Sequence, residues 1–217
     1  MSPAHTRALR TLLVFGFSVL AFATSPAGLR AAPADDAKAA LVAGIDEVGA
    51  ALRDRPPQEN LITLLDTLVD KHFAFGTTTR LAIGPAWRDF TPEQQARVTE
   101  LFSRLIIRTY AARVTGDTQP EITFGQPVEL KAGRIEVPTT TVTGGQSYSV
   151  AYRLECDRAA TAAGWRVYDV VAEGISLISN YRSQFDPLVK KSGAPGLIAT
   201  LEAKLAEVAT GAASTIQ

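Results

Sequence analysis

The stretch Ile135-Glu136-Val137-Pro138-Thr139-Thr140-Thr141-Val142-Thr143-Gly144-Gly145-Gln146-Ser147-Tyr148-Ser149-Val150-Ala151-Tyr152-Arg153-Leu154-Glu155 alternates with a period of two and is interrupted once, by a glycine pair. On its first arm Ile135, Val137, Thr139, Thr141 and Thr143 place apolar or β-branched side chains at every second position, as a strand with one face toward a core requires. On its second arm Tyr148, Val150, Tyr152 and Leu154 fall on one face, and Ser147, Ser149, Arg153 and Glu155 on the other. Gly144-Gly145 provides two residues free to adopt positive φ, which a tight hairpin turn demands. The stretch reads as an antiparallel hairpin whose apolar face must be covered.

Working outward, a further strand runs from Gly164 through Trp165, Val167 and Val170 to Val171, and earlier ones fall near Ile122 to Phe124 and Val128 to Leu130. Upstream the period changes to that of helices. Leu41, Ile45, Val48 and Leu52 form one stripe that Pro56-Pro57 stops, and a second helix from about Pro57 to His72 carries Leu61, Leu64, Leu65, Leu68 and Val69. Phe73 and Phe75 lead into a short helical piece, Thr77 to Ile83, ended by Gly84-Pro85. Thr91-Pro92-Glu93-Gln94 is a capping box with proline at the first helical position, and Val98, Leu101, Phe102, Leu105, Ile106 and Thr109 follow as one stripe. After Glu173-Gly174, Ser176 can cap a helix bearing Leu177, Ile178, Tyr181, Phe185, Leu188 and Val189. Gly193 is placed for its end, and a last helix from about Pro195 presents Leu197, Ile198, Leu201, Leu205 and Val208. Helices, then strands, then helices predict a single α+β domain, with helices packed on one face of a curved, mostly antiparallel sheet of four to five strands.

The ends read differently. Arg7 and Arg10, the apolar run Leu12 to Ala23, and the small residues with Pro26 that follow predict a secretory signal peptide over residues 1–31. The run is shorter than the roughly 20 apolar residues a bilayer span needs. Cleavage is compatible with Ala23, Ala27 or the Ala31 to Ala34 stretch, and no cysteine stands near these points to accept a lipid anchor. The folded domain is expected over 35–209 and a disordered tail over 210–217. Lysines and arginines balance acids at 22 each, and without Arg7, Arg10 and Arg30 the count is 19 against 22, a net of −3. Such a chain has no electrostatic footprint for nucleic acid and no polybasic patch for anionic lipid. Cys156 is the only cysteine, which excludes an internal disulfide.

The residues of catalysis are missing. His5 belongs to the signal, so His72 is the only histidine of the expected mature chain, and no zinc set, H-E-x-x-H, C-x-x-C or P-loop is present. Gly174-Ile175-Ser176-Leu177 resembles half of a nucleophile elbow without its second glycine, and His72 ends a helix with no acid partner in view. Asp169 and Glu173 form a possible carboxylate pair beside Tyr168 and Trp165, although a hydrogen-bonded strand acid is the commoner state. Neither a cofactor nor a metal is expected, and the chain does not read as an enzyme.

One segment carries a resemblance. Trp165-Arg166-Val167-Tyr168-Asp169-Val170-Val171-Ala172-Glu173-Gly174-Ile175-Ser176-Leu177-Ile178-Ser179-Asn180-Tyr181-Arg182-Ser183-Gln184-Phe185 joins a strand ending in Y-D-V, an E-G-[IV]-S-L turn and an N-Y-R-S-Q-F helix start. Upstream, Leu81-Ala82-Ile83-Gly84, Trp87-Arg88, Thr91-Pro92-Glu93-Gln94-Gln95 and Arg108-Thr109-Tyr110 follow in the same order. Together they resemble the toluene-tolerance, or MlaC, family over roughly Leu41 to Leu205, with Ile83-Gly84 where L-G is commoner. A related hopanoid-associated branch differs at Ser179 to Phe185, so the likeness is to the phospholipid branch. The resemblance implies a soluble periplasmic carrier moving phospholipid between an outer-membrane lipoprotein complex and an inner-membrane ABC transporter with a lipid-binding ring, which maintains outer-membrane lipid asymmetry.

Such a role sets a physical requirement. A phospholipid leaving a bilayer exposes about 30 methylenes at roughly 0.8 kcal/mol each, whereas a charge-assisted hydrogen bond contributes only about 1.5 to 3 kcal/mol. A dry cavity near or above the usual range of about 300 to 1,000 Å³ is needed. The inward residues of sheet and helices nominate Leu101, Leu105, Val137, Thr139, Val150, Tyr152, Trp165, Val167, Ile178, Tyr181 and Phe185 for its lining, although ordinary core residues share these spacings. Their place in the family signature puts Asn180, Tyr181 and Arg182 at the mouth, where Arg182 can pair with a phosphate or take part in an ordinary surface ion pair. Two other classes stay compatible with the residues: a small α+β periplasmic enzyme, and a non-lipid binding or scaffold protein with a filled core.

Overall fold

The structure, a computed structural model, describes residues 33–53, 58–114, 120–157 and 164–209. The expected signal over 1–31, the Pro56-Pro57 stop and the tail from Thr210 lie outside the described residues.

Among the described residues, five helices and six strands follow one another in the expected order. α1 (Pro33–Arg53) begins earlier than its apolar stripe, with Asp35 and Asp36 in its first turn and Arg53 in its last, a charge order that suits the helix dipole. α2 (Gln58–His72) and α3 (Phe75–Ile83) lead through a 3-10 turn, Gly84–Asp89, to α4 (Pro92–Val114). The capping box at the start of α4 is formed: Gln94 N donates to Thr91 Oγ1 at 3.3 Å, and Thr91 N donates to Gln94 Oε1 at 3.0 Å. α5 (Leu177–Ala209) bends at Gly193, whose φ of 61° and ψ of −160° are open only to glycine, so the two expected helices meet there.

The strands are β1 (Glu121–Phe124), β2 (Val128–Lys131), β3 (Arg134–Thr143), β4 (Gln146–Cys156), β5 (Trp165–Ala172) and β6 (Ile175–Ser176). They form one curved, open sheet of order β1-β3-β4-β5-β6, with β2 also on β3 and every neighbouring pair antiparallel. The sheet has six strands where four or five were expected, because β6 is two residues long and too short to show a period. The β3–β4 hairpin closes at Gly144 and Gly145, both at positive φ, with Thr143 opposite Gln146. The β5–β6 turn repeats this with Glu173 at φ 48° and Gly174 at φ 79°.

A bulge decides which residues of β5 face the helices. Leu154 stands opposite Val167, but Tyr152 stands opposite Val170 and Val150 opposite Ala172. Directly opposed residues share a face, so the inward set changes from Trp165 and Val167 to Val170 and Ala172. Tyr168 is thereby turned to the other side, where the Arg134 guanidinium lies 4.3 Å from its ring centre and Thr78 Oγ1 donates to its carbonyl.

The two larger apolar clusters hold the layers. Among the helices, Phe102 meets the rings of Tyr181 and Phe185 edge-on at 4.7 and 5.1 Å and packs with Leu101, Leu105, Leu197 and Leu201. Between α1 and the sheet, Ala37 and Leu41 cover Ile135, Val137, Leu154, Trp165 and Val167. α1 is also tied to the sheet by Lys38 Nζ, which donates to the Gly125 carbonyl at 3.0 Å. Backbone pairing adds a third link, in which Ala74 N donates to Val167 O at 2.8 Å.

Candidate functional site

A cleft of about 1290 Å³ lies where residues of both clusters fail to meet. One wall is helical: Leu41, Ile45, Val48 and Leu52 of α1, Leu65, Leu68 and Val69 of α2, then Phe73, Phe75 and Ile106 with Ile107 of α4. The opposite wall is the inward face of the sheet, with Ile122 and Phe124, Thr141, Val150, Tyr152 and Leu154, and then Trp165, Val167, Val170 and Ala172. Ile175, Ser176, Leu177 and Asn180 border it where β6 passes into α5. Ile175 is 66% exposed there, and Tyr148 and Val142 are exposed near the hairpin tip.

The lining is apolar with few polar groups. Gly44 of α1 leaves room for the His72 ring, whose Nδ1 would stand 3.0 Å from a methyl at that position. His72 Nε2 meets Glu47 Oε2 at 2.8 Å and Lys71 Nζ donates to the same carboxylate at 2.8 Å, so α1 and α2 are joined across this corner. The hydrogen bonds from Lys71 and then His72 hold the Glu47 carboxyl below its ordinary range. His72 thus has an acid partner after all, but one 25 residues away on another helix, where no local motif announces it. Burial pushes the Tyr152 phenol up.

The border at β6 is fixed by one buried carboxylate. Asp169, 2% exposed, accepts Ser176 Oγ at 2.7 Å and Arg153 Nη1 at 3.1 Å on Oδ2, and Ile178 N at 3.1 Å on Oδ1. Arg153 also reaches Glu136 Oε2 at 2.8 Å. Ser176 Oγ in turn accepts Ser179 N at 3.1 Å, which is the helix cap that the sequence indicates. Both oxygens of Asp169 and the hydroxyl of Ser176 are therefore engaged in holding the start of α5.

The residues nominated from sequence divide in two. Val150, Tyr152, Trp165, Val167 and Asn180 border the cleft. Leu101, Leu105, Tyr181 and Phe185 sit in the helical cluster, Val137 in the sheet cluster, and Ile178 against Tyr168 and Ala74. Thr139 is buried with its hydroxyl donating to Val150 O at 2.7 Å. Arg182 turns to α3, where Nε donates to the Leu81 carbonyl at 3.0 Å beside Gly84. The α1 and α2 stripes, which form the helical wall, were visible as stripes but carried no sign of what they cover.

The sequence matches the family model described as MlaC protein over residues 43–203. The chain belongs to the MlaC family. Among solved structures, this MlaC-family chain is similar to the phospholipid-binding protein from Ralstonia solanacearum, solved in complex with a phospholipid. Identity is 28%, the TM-score is 0.70, and the likeness covers 80% of this chain and 99% of that one. No curated protein matches. Among the described residues of this MlaC-family chain, no helix is long and apolar enough to cross a membrane.

Proposed function

We propose that this MlaC-family protein is a soluble periplasmic phospholipid carrier that moves lipid between an outer-membrane lipoprotein complex and an inner-membrane ABC transporter, maintaining outer-membrane lipid asymmetry. The observation that carries the reading is the cleft, whose volume of about 1290 Å³ lies above the range of about 300 to 1,000 Å³ usual for small-molecule pockets. Its apolar walls come from both layers of the domain, so the acyl chains lie between sheet and helices and the head group stays near water. Transfer of about 30 methylenes into such a space offsets on the order of 20 kcal/mol of exposure, more than any head-group contact supplies. The family and the phospholipid held by the solved relative support lipid binding in place of catalysis. In this reading residues 1–31 are the export signal and 35–209 the lipid-binding domain.

The test is export and transfer. Expressed with its own leader in a Gram-negative host, the protein is expected in the soluble periplasmic fraction, and after purification it should speed the passage of a fluorescent phospholipid from donor to acceptor vesicles. Firm retention in washed membranes without partner proteins, or transfer no faster than between vesicles alone, contradicts the proposal.

A further inference from the structure

We propose that Arg53, at the end of α1, receives the phosphate of the bound lipid's head group, an assignment that rests on the carrier reading above. Among the described lysines and arginines, Arg53 is the one that borders the cleft. The cations that could compete are engaged elsewhere: Lys71 with Glu47, Arg153 with Glu136 and Asp169, and Arg182 with the Leu81 carbonyl. Arg53 makes no hydrogen bond or ion pair among the described residues.

Its geometry follows from the helix. Side chains on a helix lean toward its N-terminus, and Arg53 does so: a methyl added at Gly49 would stand 3.8 Å from Arg53 Nη1. The guanidinium therefore lies over the turn of Gly49, and Gly49 and Leu52 both border the cleft. This puts a cation where the apolar stripe Leu41, Ile45, Val48, Leu52 meets water. A guanidinium suits that place, being weakly hydrated, always charged and shaped for two parallel hydrogen bonds to a phosphate. Asp46, the carboxylate of the lining, lies two helical turns back, roughly 10 Å along the axis, far enough to leave a phosphate at Arg53 in reach of the cation first.

The test separates head group from tails. Phosphatidylethanolamine and diacylglycerol with the same acyl chains are competed for the delipidated full-length mature protein, and the ratio of bound lipids is read by native mass spectrometry. The parent should prefer the phospholipid by about tenfold, which is about 1.4 kcal/mol. Arg53→Gln should bring the ratio close to one with diacylglycerol affinity unchanged, Arg53→Lys should fall between, and Arg182→Gln should keep the parent's ratio. Melting temperatures of the variants report any loss at the end of α1, which does not move the ratio. A parent ratio near one, an Arg53→Gln ratio still near ten, or a loss specific to Arg182→Gln overturns the assignment while leaving the carrier reading in place. Binding of neither lipid by the parent overturns both.

Discussion

Replacing Val150 by tryptophan is expected to empty the protein of phospholipid while leaving its melting temperature within a few degrees of the parent's. Val150 is half-buried on the inward face of β4, opposite Thr139 on one side and Ala172 on the other, and its side chain borders the cleft. Added bulk there enters space that acyl chains would fill, so it displaces ligand without forcing the core apart. Val167 offers the contrast within the same sheet. It also touches the cleft, but it is 4% exposed and packed with Leu41, Ile135, Leu154 and Trp165, so tryptophan at this position overpacks a closed cluster. Val167→Trp should cost about 1 to 3 kcal/mol, in addition to any loss of lipid. Lipid content by mass spectrometry and melting after delipidation decide between them. Equal destabilisation by the two substitutions would mean that Val150 faces a filled core.

Asp169→Ala should destabilise the domain by on the order of 3 kcal/mol. The carboxylate is buried and holds three donors from three places in the chain: Arg153 of β4, Ser176 of β6 and the backbone of Ile178 in α5. Removing it leaves an N–H and a hydroxyl without their partner and a half-buried guanidinium with Glu136 alone. At about 2 to 4 °C per kcal/mol for a domain of this size, the melting temperature falls by roughly 6 to 12 °C. Lipid should be lost as well, since Ile175, Ser176, Leu177 and Asn180 border the cleft from the segment that Asp169 anchors. Asp169→Asn, which keeps shape and one acceptor, should fall about half as far. A melting temperature for Asp169→Ala within about 2 °C of the parent's, a loss of roughly 0.5 to 1 kcal/mol, would show that Asp169 does not anchor the start of α5.

Local features of the fold were readable from the sequence because their causes are local. Gly144-Gly145 supplies the two positive-φ residues that a two-residue hairpin needs, Thr91 and Gln94 bond each other across three residues, and Ser176 caps the helix that starts beside it. The cleft was less readable, for three reasons. An apolar helical stripe looks the same over a filled core and over an open space, so Leu41, Ile45, Val48 and Leu52 gave no hint of forming a wall. Strict alternation along β5 keeps odd positions inward, and only the bulge turns Val170 and Ala172 to the cleft. Arg182 finds its partner in the Leu81 carbonyl, 101 residues away, and no spacing rule reaches that far. Aromatic residues of the signature segment divide on the same ground: Trp165 borders the cleft, whereas Tyr181 and Phe185 close on Phe102.

In the carrier reading, the acyl chains of a phospholipid occupy the space between sheet and helices. Mass spectrometry of an organic extract, made from protein purified without detergent and set against protein concentration, reads this occupancy. About one diacyl phospholipid per chain is expected, reduced severely in Val150→Trp, in line with a cleft of about 1290 Å³. An extract free of lipid, from a protein that also takes up none from vesicles, would contradict it.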